Sequence, residues 1–482
     1  MKKKQKAPKR QTASNQIQSS RVNTSTTENN SKWIRINKPF PLPPHVKEAI
    51  QKLNEAGQIA YIVGGSVRDF LLNRESKDHD IATSAGPEEL CRLFPDAVTV
   101  GKSFGVLKIP IRDEHGPQFF EIATFRKDLE YKDFRHPTKV LFTGVIEDAL
   151  RRDFTVNALY YDPKTSRILD PVEGSEDIKN KVIRAIGDPS ARFKEDALRL
   201  LRAVRFTTNL GFSLEAKTAE AIKARARLIT RVSAERVRDE LTLMIKGPKP
   251  AKALRMLSEL QLLIHVLPEI EAMKGVGQSE IFHPEGDVWE HTLKMMECLS
   301  KQNRDITLTL AWASLLHDVG KPVAASRSEG KNFNGHEKDG GKLSETIGTR
   351  LKMSRSEIDR IIALVENHLK FKDVFGMREA TLIRFISQPE FEELLALHKA
   401  DSVASDGNLA YYDFCLARLA ELKRQSNQKP KRLITGEDLI QLGLEPGPKF
   451  TEILRNIEDL ALEQKLNSKE EALEYVIKHY VK

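Results

Sequence analysis

From residue 33 onward the chain carries two kinds of apolar spacing in succession. Up to about residue 162 the apolar positions fall in short runs bounded by turn residues: "AYIVGG" (60–65), "HDIATSA" (79–85), "VTVGKSFGVLKIPI" (98–111) and "QFFEIATF" (118–125). These read as strands, with helices over 46–56 and from "SVRDFLL" (66–72), and "RKDLEYKDFRHPTKV" (126–140) reads as a polar loop. After the turn-rich connector "DPVEGSEDIKNKVIRAIGDP" (170–189) the spacing becomes helical to the end, broken at "KGPKP", "GVGQ", "SRSEGKNFNGHEKDGG" and "GLEPGPKF". The pattern predicts an α+β chain of several domains: a small head with a mixed sheet, then an all-α neck, body and tail.

Within the helical half, "KEDALRLLRAVRF" (194–206) reads as one amphipathic helix. At about 100° per residue Ala197, Leu200, Leu201 and Val204 form the apolar stripe, and Asp196, Arg199, Arg202 and Arg205 occupy the opposite half. The spacing allows an Asp196–Arg199 ion pair on a solvated face or a surface that reads a ligand.

Composition narrows the class. The 482 residues hold 40% hydrophobic side chains, enough for roughly three cores, and no run approaches the 18 apolar residues of a membrane span. No apolar signal segment opens the chain, so a cytoplasmic, non-membrane protein is expected. Cys91, Cys298 and Cys415 are too few and too scattered for a disulfide framework and read as packing residues. The net charge is +9, and residues 1–32 contribute eight Lys/Arg against one Glu, leaving 69 basic against 67 acidic residues in the rest. The first 32 residues therefore read as a disordered basic tail, and any polyanion surface on the folded part must be local.

Candidate chemistry begins at "KDHDIAT". Asp78 and Asp80 are two apart on a strand candidate, so both face one way, and two such charges call for a cation or a shared proton. Hard oxygen ligands favour Mg²⁺ with substrate phosphates. Just upstream, "GGSVRD" offers close backbone approach at Gly64 and Gly65 and a guanidinium fork at Arg68. Glu121, in a neighbouring strand candidate, is a third acid for a two-metal site that activates a hydroxyl and stabilises a pyrophosphate; a plain strand carboxylate is the alternative.

The ordered series "VGGSVRDFLL…KDHDIAT", "GKSFGV", "EIATFRKDLEYKDFRHP", "RRDFTVNALYYDP", "LDPVEGSEDI" and "RFKEDALRLLRAVRF" resembles the class II CCA-adding tRNA nucleotidyltransferases, relatives of poly(A) polymerases in the DNA polymerase β superfamily. The resemblance implies Mg²⁺ at Asp78 and Asp80, nucleotide contacts from Gly65, Arg68 and Arg152, and ribose recognition by Asp153 and Asn157. It also implies a nucleotide-reading helix carrying Asp196, Arg199, Arg202 and Arg205. Cytosine and adenine each set an amino donor beside a ring acceptor, so a carboxylate and a guanidinium suit both, whereas uracil and guanine reverse the order and leave both protein groups unpaired. In the same resemblance Arg126, Asp128, Tyr131, Asp133 and Arg135 belong to a flexible loop, with Leu129 where a Gly is usual.

"GDVWEHTLKMM", "ASLLHDVGKP" and "LHKADSVASD" resemble the HD phosphohydrolase superfamily, with His291, His317, Asp318 and Asp401 in its order and His336 and His368 as additional ligand candidates. The implied cofactor is a second divalent metal (Mg, Mn, Ni or Co), and the implied activity acts on phosphoesters at RNA ends.

The expected division is a tail (1–32), a nucleotidyltransferase head (33–162), a neck (163–275), an HD-type domain (276–402) and a C-terminal tRNA-binding body (403–482). The expected activity is template-independent addition of C and A from CTP and ATP to the 3′ end of tRNA. The rivals are an A-adding enzyme, a poly(A) polymerase, and an HD phosphohydrolase with an RNA-binding head. Monomer and homodimer both remain open.

Overall fold

The computed structural model describes residues 32–76, 78–99, 105–111, 118–131, 137–278, 286–302, 305–328, 332–425 and 433–481. Among the described residues the head is a mixed eight-stranded sheet in the order β1-β10-β9-β2-β3-β6-β5-β4. Its strands are β1 (Trp33–Arg35), β2 (Ala60–Val63), β3 (Asp80–Thr83), β4 (Val98–Thr99), β5 (Val106–Ile111), β6 (Gln118–Thr124), β9 (Tyr160–Asp162) and β10 (Arg167–Leu169).

The period of two sorts each strand between two cores. Ile62, Ile81, Leu107 and Ile122 pack with Val46, Ile50 and Leu53 of helix α1 (Pro44–Glu55). Tyr61, Val63, Ala82, Phe125 and Tyr160 fill the other face. β2 runs antiparallel to β3, with Val63 opposite Asp80, and β3 runs parallel to β6, with Ile81 opposite Ile122. The first acidic strand therefore sits between the glycine turn and the strand of Glu121. Helices α2 (Gly65–Leu71), α3 (Pro87–Leu93) and α4 (Val145–Leu150) complete the head.

Three local expectations are corrected. Residues 126–140 are not a plain loop: β7 (Arg126–Tyr131) and β8 (Pro137–Phe142) form an antiparallel ribbon with Lys127 opposite Leu141 and Leu129 opposite Lys139. Alternating polar and apolar residues supply the strand pattern that the charge density obscured. Asp133, Arg135 and the side chain of Tyr131 lie outside the described residues. The connector holds a helix, α5 (Gly174–Asn180), started by Asp170, whose carboxylate accepts from the Gly174 and Ser175 amides.

The third correction concerns residues 194–206. Helix α6 (Pro189–Glu195) stops, Asp196 is extended at φ −138°, ψ 105°, and α7 (Arg199–Leu210) begins afresh. The Asp196 side chain accepts from the Leu198 amide at 3.0 Å, a short-range bond that competes with helix continuation and starts the next turn. Helices α8 (Ala216–Arg225), α9 (Ala234–Ile245) and α10 (Pro250–Glu259) complete the neck, and α11 (Leu263–Val266) and α12 (Pro268–Glu271) lead out of it.

The body follows: α13 (Val288–Ser300), α14 (Leu308–Leu316), α15 (Lys321–Arg327), α16 (His336–Arg350), α17 (Arg355–Asn367), α18 (Glu379–Ile386), α19 (Phe391–Ala404) and α20 (Ala410–Gln425), with a 3-10 stretch at His368–Gly376. One apolar core runs from Phe40 in the head to Cys415 in α20. A separate small core built from Ile434, Leu439, Ile453, Ile457, Ala472 and Val476 holds α21 (Gly436–Gln441), α22 (Pro448–Leu462) and α23 (Lys469–Tyr480) together. Among the described residues no helix is long and apolar enough to cross a membrane.

Candidate active site and metal centre

β2 ends against a turn in which Gly64 takes φ 81°, ψ −135°, backbone that a side chain would strain. Two guanidiniums close over this turn. A Cβ built on Gly65 would lie 3.4 Å from Arg68 Nη2, and one on Gly64 would lie 3.7 Å from Arg152 Nη1. Arg68 donates from Nη1 to Asn157 Oδ1 at 2.7 Å and pairs with Asp69.

Across the β2–β3 pairing stand the acids. β3 starts at Asp80, so Asp78 precedes the strand instead of lying in it, but the alternation holds: Asp78 and Asp80 face solvent and His79 is buried. Although Asp80 keeps an exposed edge, desolvation by the surrounding head and the nearby Glu121 carboxylate raise its carboxyl to about 6, against the opposing pull of Arg152. Glu121 is 46% exposed and approaches Lys108 Nζ at 3.4 Å. The crowded oxygen donors fit a hard cation that retains waters and is completed by substrate phosphate.

The body holds a tighter cluster. Among the described residues, two groups have ligand atoms all within 4.8 Å of one another: His291, His317 and Asp401, and Asp318, His336 and His368. Asp318 joins them, its Oδ2 lying 3.2 Å from His317 Nε2 and its Oδ1 lying 3.3 Å from His336 Nε2. His291 Nε2 lies 3.0 Å from Asp401 Oδ1. The Nδ1 atoms of His317, His336 and His368 are set against the carbonyls of Ser314, Phe333 and Val365, each three residues upstream, which fixes the tautomer that turns Nε2 inward.

These groups fit a divalent metal on their own chemistry. His336 Nε2 is buried and faces the Asp318 carboxylate at 3.3 Å. Burial holds the His368 imidazole down at about 3, so it stays a neutral ligand. Burial alone would raise the Asp318 carboxyl, but His317 and Lys321 outweigh it and keep the group ionised. Lys321 Nζ sits 2.7 Å from Asp318 Oδ2 and 2.5 Å from Gln278 Oε1.

Three family models match successive parts of the chain: the poly A polymerase head domain over 60–184, the probable RNA and SrmB-binding site of polymerase A over 211–274, and the HD domain over 288–405. The chain is 33% identical over 430 residues to the CCA-adding enzyme of Lactobacillus helveticus, covering 88% of this chain and 94% of that one. It is 32% identical over 437 residues to the A-adding tRNA nucleotidyltransferase of Deinococcus radiodurans, covering 86% and 94%. The chain belongs to the tRNA nucleotidyltransferase family. A stronger local match, 44% to the CCA-adding enzyme of Geobacillus sp., spans about half of each chain: 45% of this one and 53% of that one. The solved CCA-adding enzyme of Bacillus stearothermophilus, in complex with CTP, superposes with a TM-score of 0.67 at 27% identity, covering 91% of this chain and 98% of that one.

In this tRNA nucleotidyltransferase the predicted reading residues are all engaged, but not with one another. Asp196 pairs with Arg236 of α9 at 2.8 Å. Arg199 is 8% exposed and donates to Glu195 Oε2 at 2.7 Å and to the Arg151 carbonyl at 2.9 Å. The break at Asp196 turns Arg199 inward, so the four polar residues do not form one cationic helix face. Arg202 bonds Asp153 Oδ2 at 2.8 Å, and Arg205 bonds Glu240 Oε2 at 2.6 Å.

Asp153 in turn accepts from Asn157 Nδ2 at 3.2 Å, so Arg68, Asn157, Asp153 and Arg202 form one chain of bonds from the glycine turn to α7. Burial pushes the Asp153 carboxyl up, but Arg202 and Arg199 outweigh it and hold it at about 2. Thr155–Asn157 form a single 3-10 turn between Asp153 and β9.

The sequence reading missed Asp148, Tyr160, Arg236 and Glu240. Asp148 is 1% exposed and takes bonds from Arg151, Arg152 and the Tyr160 hydroxyl, the last at 2.7 Å. Its spacing of four from Arg152 was a readable signal. Arg236 and Glu240 gave none, because their partners lie more than 30 residues away.

Proposed function

We propose that this chain adds C and A nucleotides from CTP and ATP to the 3′ end of tRNA, in the cytoplasm where that substrate resides. The observation that carries the reading is geometric: strand pairing sets Asp80 opposite Val63, next to the Gly64–Gly65 turn over which Arg68 and Arg152 close. Arg68 and Arg152 grip the triphosphate there, and Gly64 and Gly65 let it approach the backbone. The terminal ribose hydroxyl oxygen of the tRNA bonds to the α-phosphorus, its proton passes to solvent water, the α–β phosphoanhydride bond breaks, and pyrophosphate leaves. Mg²⁺ held by Asp78, Asp80 and Glu121 supplies charge neutralisation for the hydroxyl and the leaving group. Asp153 and Asn157 recognise the ribose.

Asp196 and Arg199 read the base in this proposal. They flank the start of α7, and reading a base requires Asp196 to leave Arg236 and Arg199 to leave Glu195 and the Arg151 carbonyl. Incubation with tRNA lacking CCA and with tRNA ending in CC, each with a single nucleotide, tests the reading. CMP incorporation onto the first substrate supports full CCA addition, and AMP incorporation onto the second alone supports the A-adding alternative shared with the Deinococcus relative.

A second reading concerns the body, favoured by the six converging ligands. We infer that His291, His317, Asp401, Asp318, His336 and His368 hold divalent metal for phosphoester hydrolysis, in which water bonds to phosphorus and the ester oxygen leaves protonated. A metal such as Mg, Mn, Ni or Co there lowers the pKa of the attacking water. Lys321 and Gln278 sit where a phosphate oxygen is neutralised. Metal content of the full-length protein, and phosphate release with and without chelator, test it.

A further inference from the structure

The head holds a cavity of about 560 Å³ that shares no lining residue with the candidate active site or the metal centre. That volume lies within the range of small-ligand pockets. Three pieces of chain enclose it: the segment before α1, α1 itself and the turn between β9 and β10. Phe40, Ile50 and Tyr161 form an apolar floor, with Leu42 and Pro163 beside them. The Phe40 and Tyr161 rings are stacked, centroids 4.5 Å apart and planes at 14°, so the floor is fixed. The turn is fixed as well, because the Asp162 carboxylate accepts from the Lys164 amide at 2.9 Å and from the Thr165 hydroxyl at 2.7 Å.

The polar lining separates this cavity from a packing fault. Lys47 on α1 and Lys164 on the turn are exposed, and neither Nζ has a hydrogen-bond or ion-pair partner among the described residues. Gln51 and Asn54, three apart on α1, present amides on one side of the helix. Gln51 Nε2 donates to Glu55 Oε1 at 2.8 Å, which occupies the one acid of the lining. An apolar floor under unpaired cations and amides fits a flat ring that bears an anionic group and a hydrogen-bonding edge. Residues 1–32 of the chain, with eight Lys/Arg against one Glu, are repelled by the same two lysines.

The floor leads toward the chemistry of the head. Phe40 also lies 4.6 Å from Phe70 of α2, the helix that carries Arg68, and 6.2 Å edge-on from the ring of His79, between Asp78 and Asp80. A ligand that presses on Phe40 therefore bears on both halves of the nucleotide site.

We propose that this cavity is an effector site for an aromatic anion, either a nucleoside monophosphate or an aromatic carboxylate, held by Lys47 and Lys164 over the Phe40–Tyr161 floor and acting on nucleotide addition through Phe40. The effector role rests on the nucleotidyl-transfer reading of the head; the binding role does not.

Calorimetry on the full-length protein with naphthalene-1-carboxylate, adenosine 5′-monophosphate and the uncharged naphthalene-1-methanol tests the site. Both exposed lysines contribute modestly, so binding of the preferred anion is expected to weaken about tenfold in the double variant Lys47→Gln/Lys164→Gln, while the alcohol binds parent and variant alike. Asn54→Trp, which places a ring in the cavity, is expected to block the anion. Monophosphate bound at the glycine turn is insensitive to both variants, so only the sensitive component counts. No saturable binding of either anion below about 10 mM, or binding that both variants leave unchanged, overturns the site. Tighter binding of the monophosphate assigns the site to nucleotides, and tighter binding of the carboxylate assigns it to aromatic acids.

Single-nucleotide incorporation with saturating naphthalene-1-carboxylate tests the effector role. The KM for CTP is expected to change about fivefold in the parent and not in the double variant. Calorimetric binding without a change in KM keeps the ligand site and removes the effector role. A protein that binds the anion but incorporates no nucleotide keeps the ligand site and removes the nucleotidyl-transfer reading.

Discussion

Replacing Asp148 by Asn removes one charge from the most tightly bonded point of the head while keeping its shape. In the parent, burial raises the carboxyl, but Arg152, Arg151 and the Tyr160 hydroxyl outweigh it and hold the group down from 3.8 to about 2. That difference is worth about 2 kcal/mol of folding stability at neutral pH. Arg151 and Arg152 each keep some solvent contact, so their loss of a partner adds little beyond it. Asp148→Asn is therefore expected to be less stable by about 2 kcal/mol in urea unfolding at pH 7.

The sign of the pH dependence follows from a depressed carboxyl. The stabilisation is full above the unfolded value near 4 and disappears as pH falls toward 2, so the gap between parent and variant stays flat from pH 8 to about pH 5 and narrows below it. The released Arg152 also ceases to be held over the glycine turn, and the KM for CTP is expected to rise about tenfold. Equal urea midpoints together with an unchanged KM for CTP would refute the claim that Asp148 positions Arg152.

Other consequences are open to measurement. Mg²⁺ binding at the head requires an ionised Asp80, whose carboxyl is raised to about 6, so affinity measured by titration falls about tenfold per pH unit below that value and levels off above it. Without metal the same shift works the other way on folding: Asp80 favours the protonated fold, and its contribution is lost as pH rises from 3.8 through 6. Asp196→Ala is expected to narrow the discrimination between CTP and UTP by about tenfold while sparing tRNA binding; unchanged discrimination in single-nucleotide incorporation removes Asp196 from base reading. Gly320→Ala would set a Cβ 2.1 Å from the His336 carbonyl, so bound metal should drop in elemental analysis while nucleotide incorporation persists. Retention of full metal content in that variant contradicts the assignment of His336 as a ligand.

How far the sequence reaches depends on the range of the interaction. The strands at 60–63, 80–83 and 118–124 and the acids upon them follow from a period of two and short apolar runs, both local properties. The His and Asp residues that converge in the body were legible as a motif order. The ribbon at 126–142 was not, because charged residues mask an alternation that only pairing across the turn makes visible. The break at Asp196 escaped because its apolar stripe survives it: Ala197, Leu200, Leu201 and Val204 are all buried despite the kink. The partners that decide the state of Asp196 and Arg205 lie on α9, and nothing near either residue announces them.

The core running unbroken from Phe40 to Cys415 bears on how such a chain can change. Trp312, buried in the helix that leads to His317, donates to Thr242 Oγ1 at 2.9 Å on the same helix as Arg236 and Glu240. The His/Asp body is thus a wall of the neck, and not a detachable cassette. Excising the helices that bear its His and Asp residues would leave α9 facing water. A lineage, or a designer, must therefore keep the scaffold of the body, while the segment from Ile434 onward has its own small core and is tied to the body through Arg384, which pairs with Glu458 and Asp459 of α22.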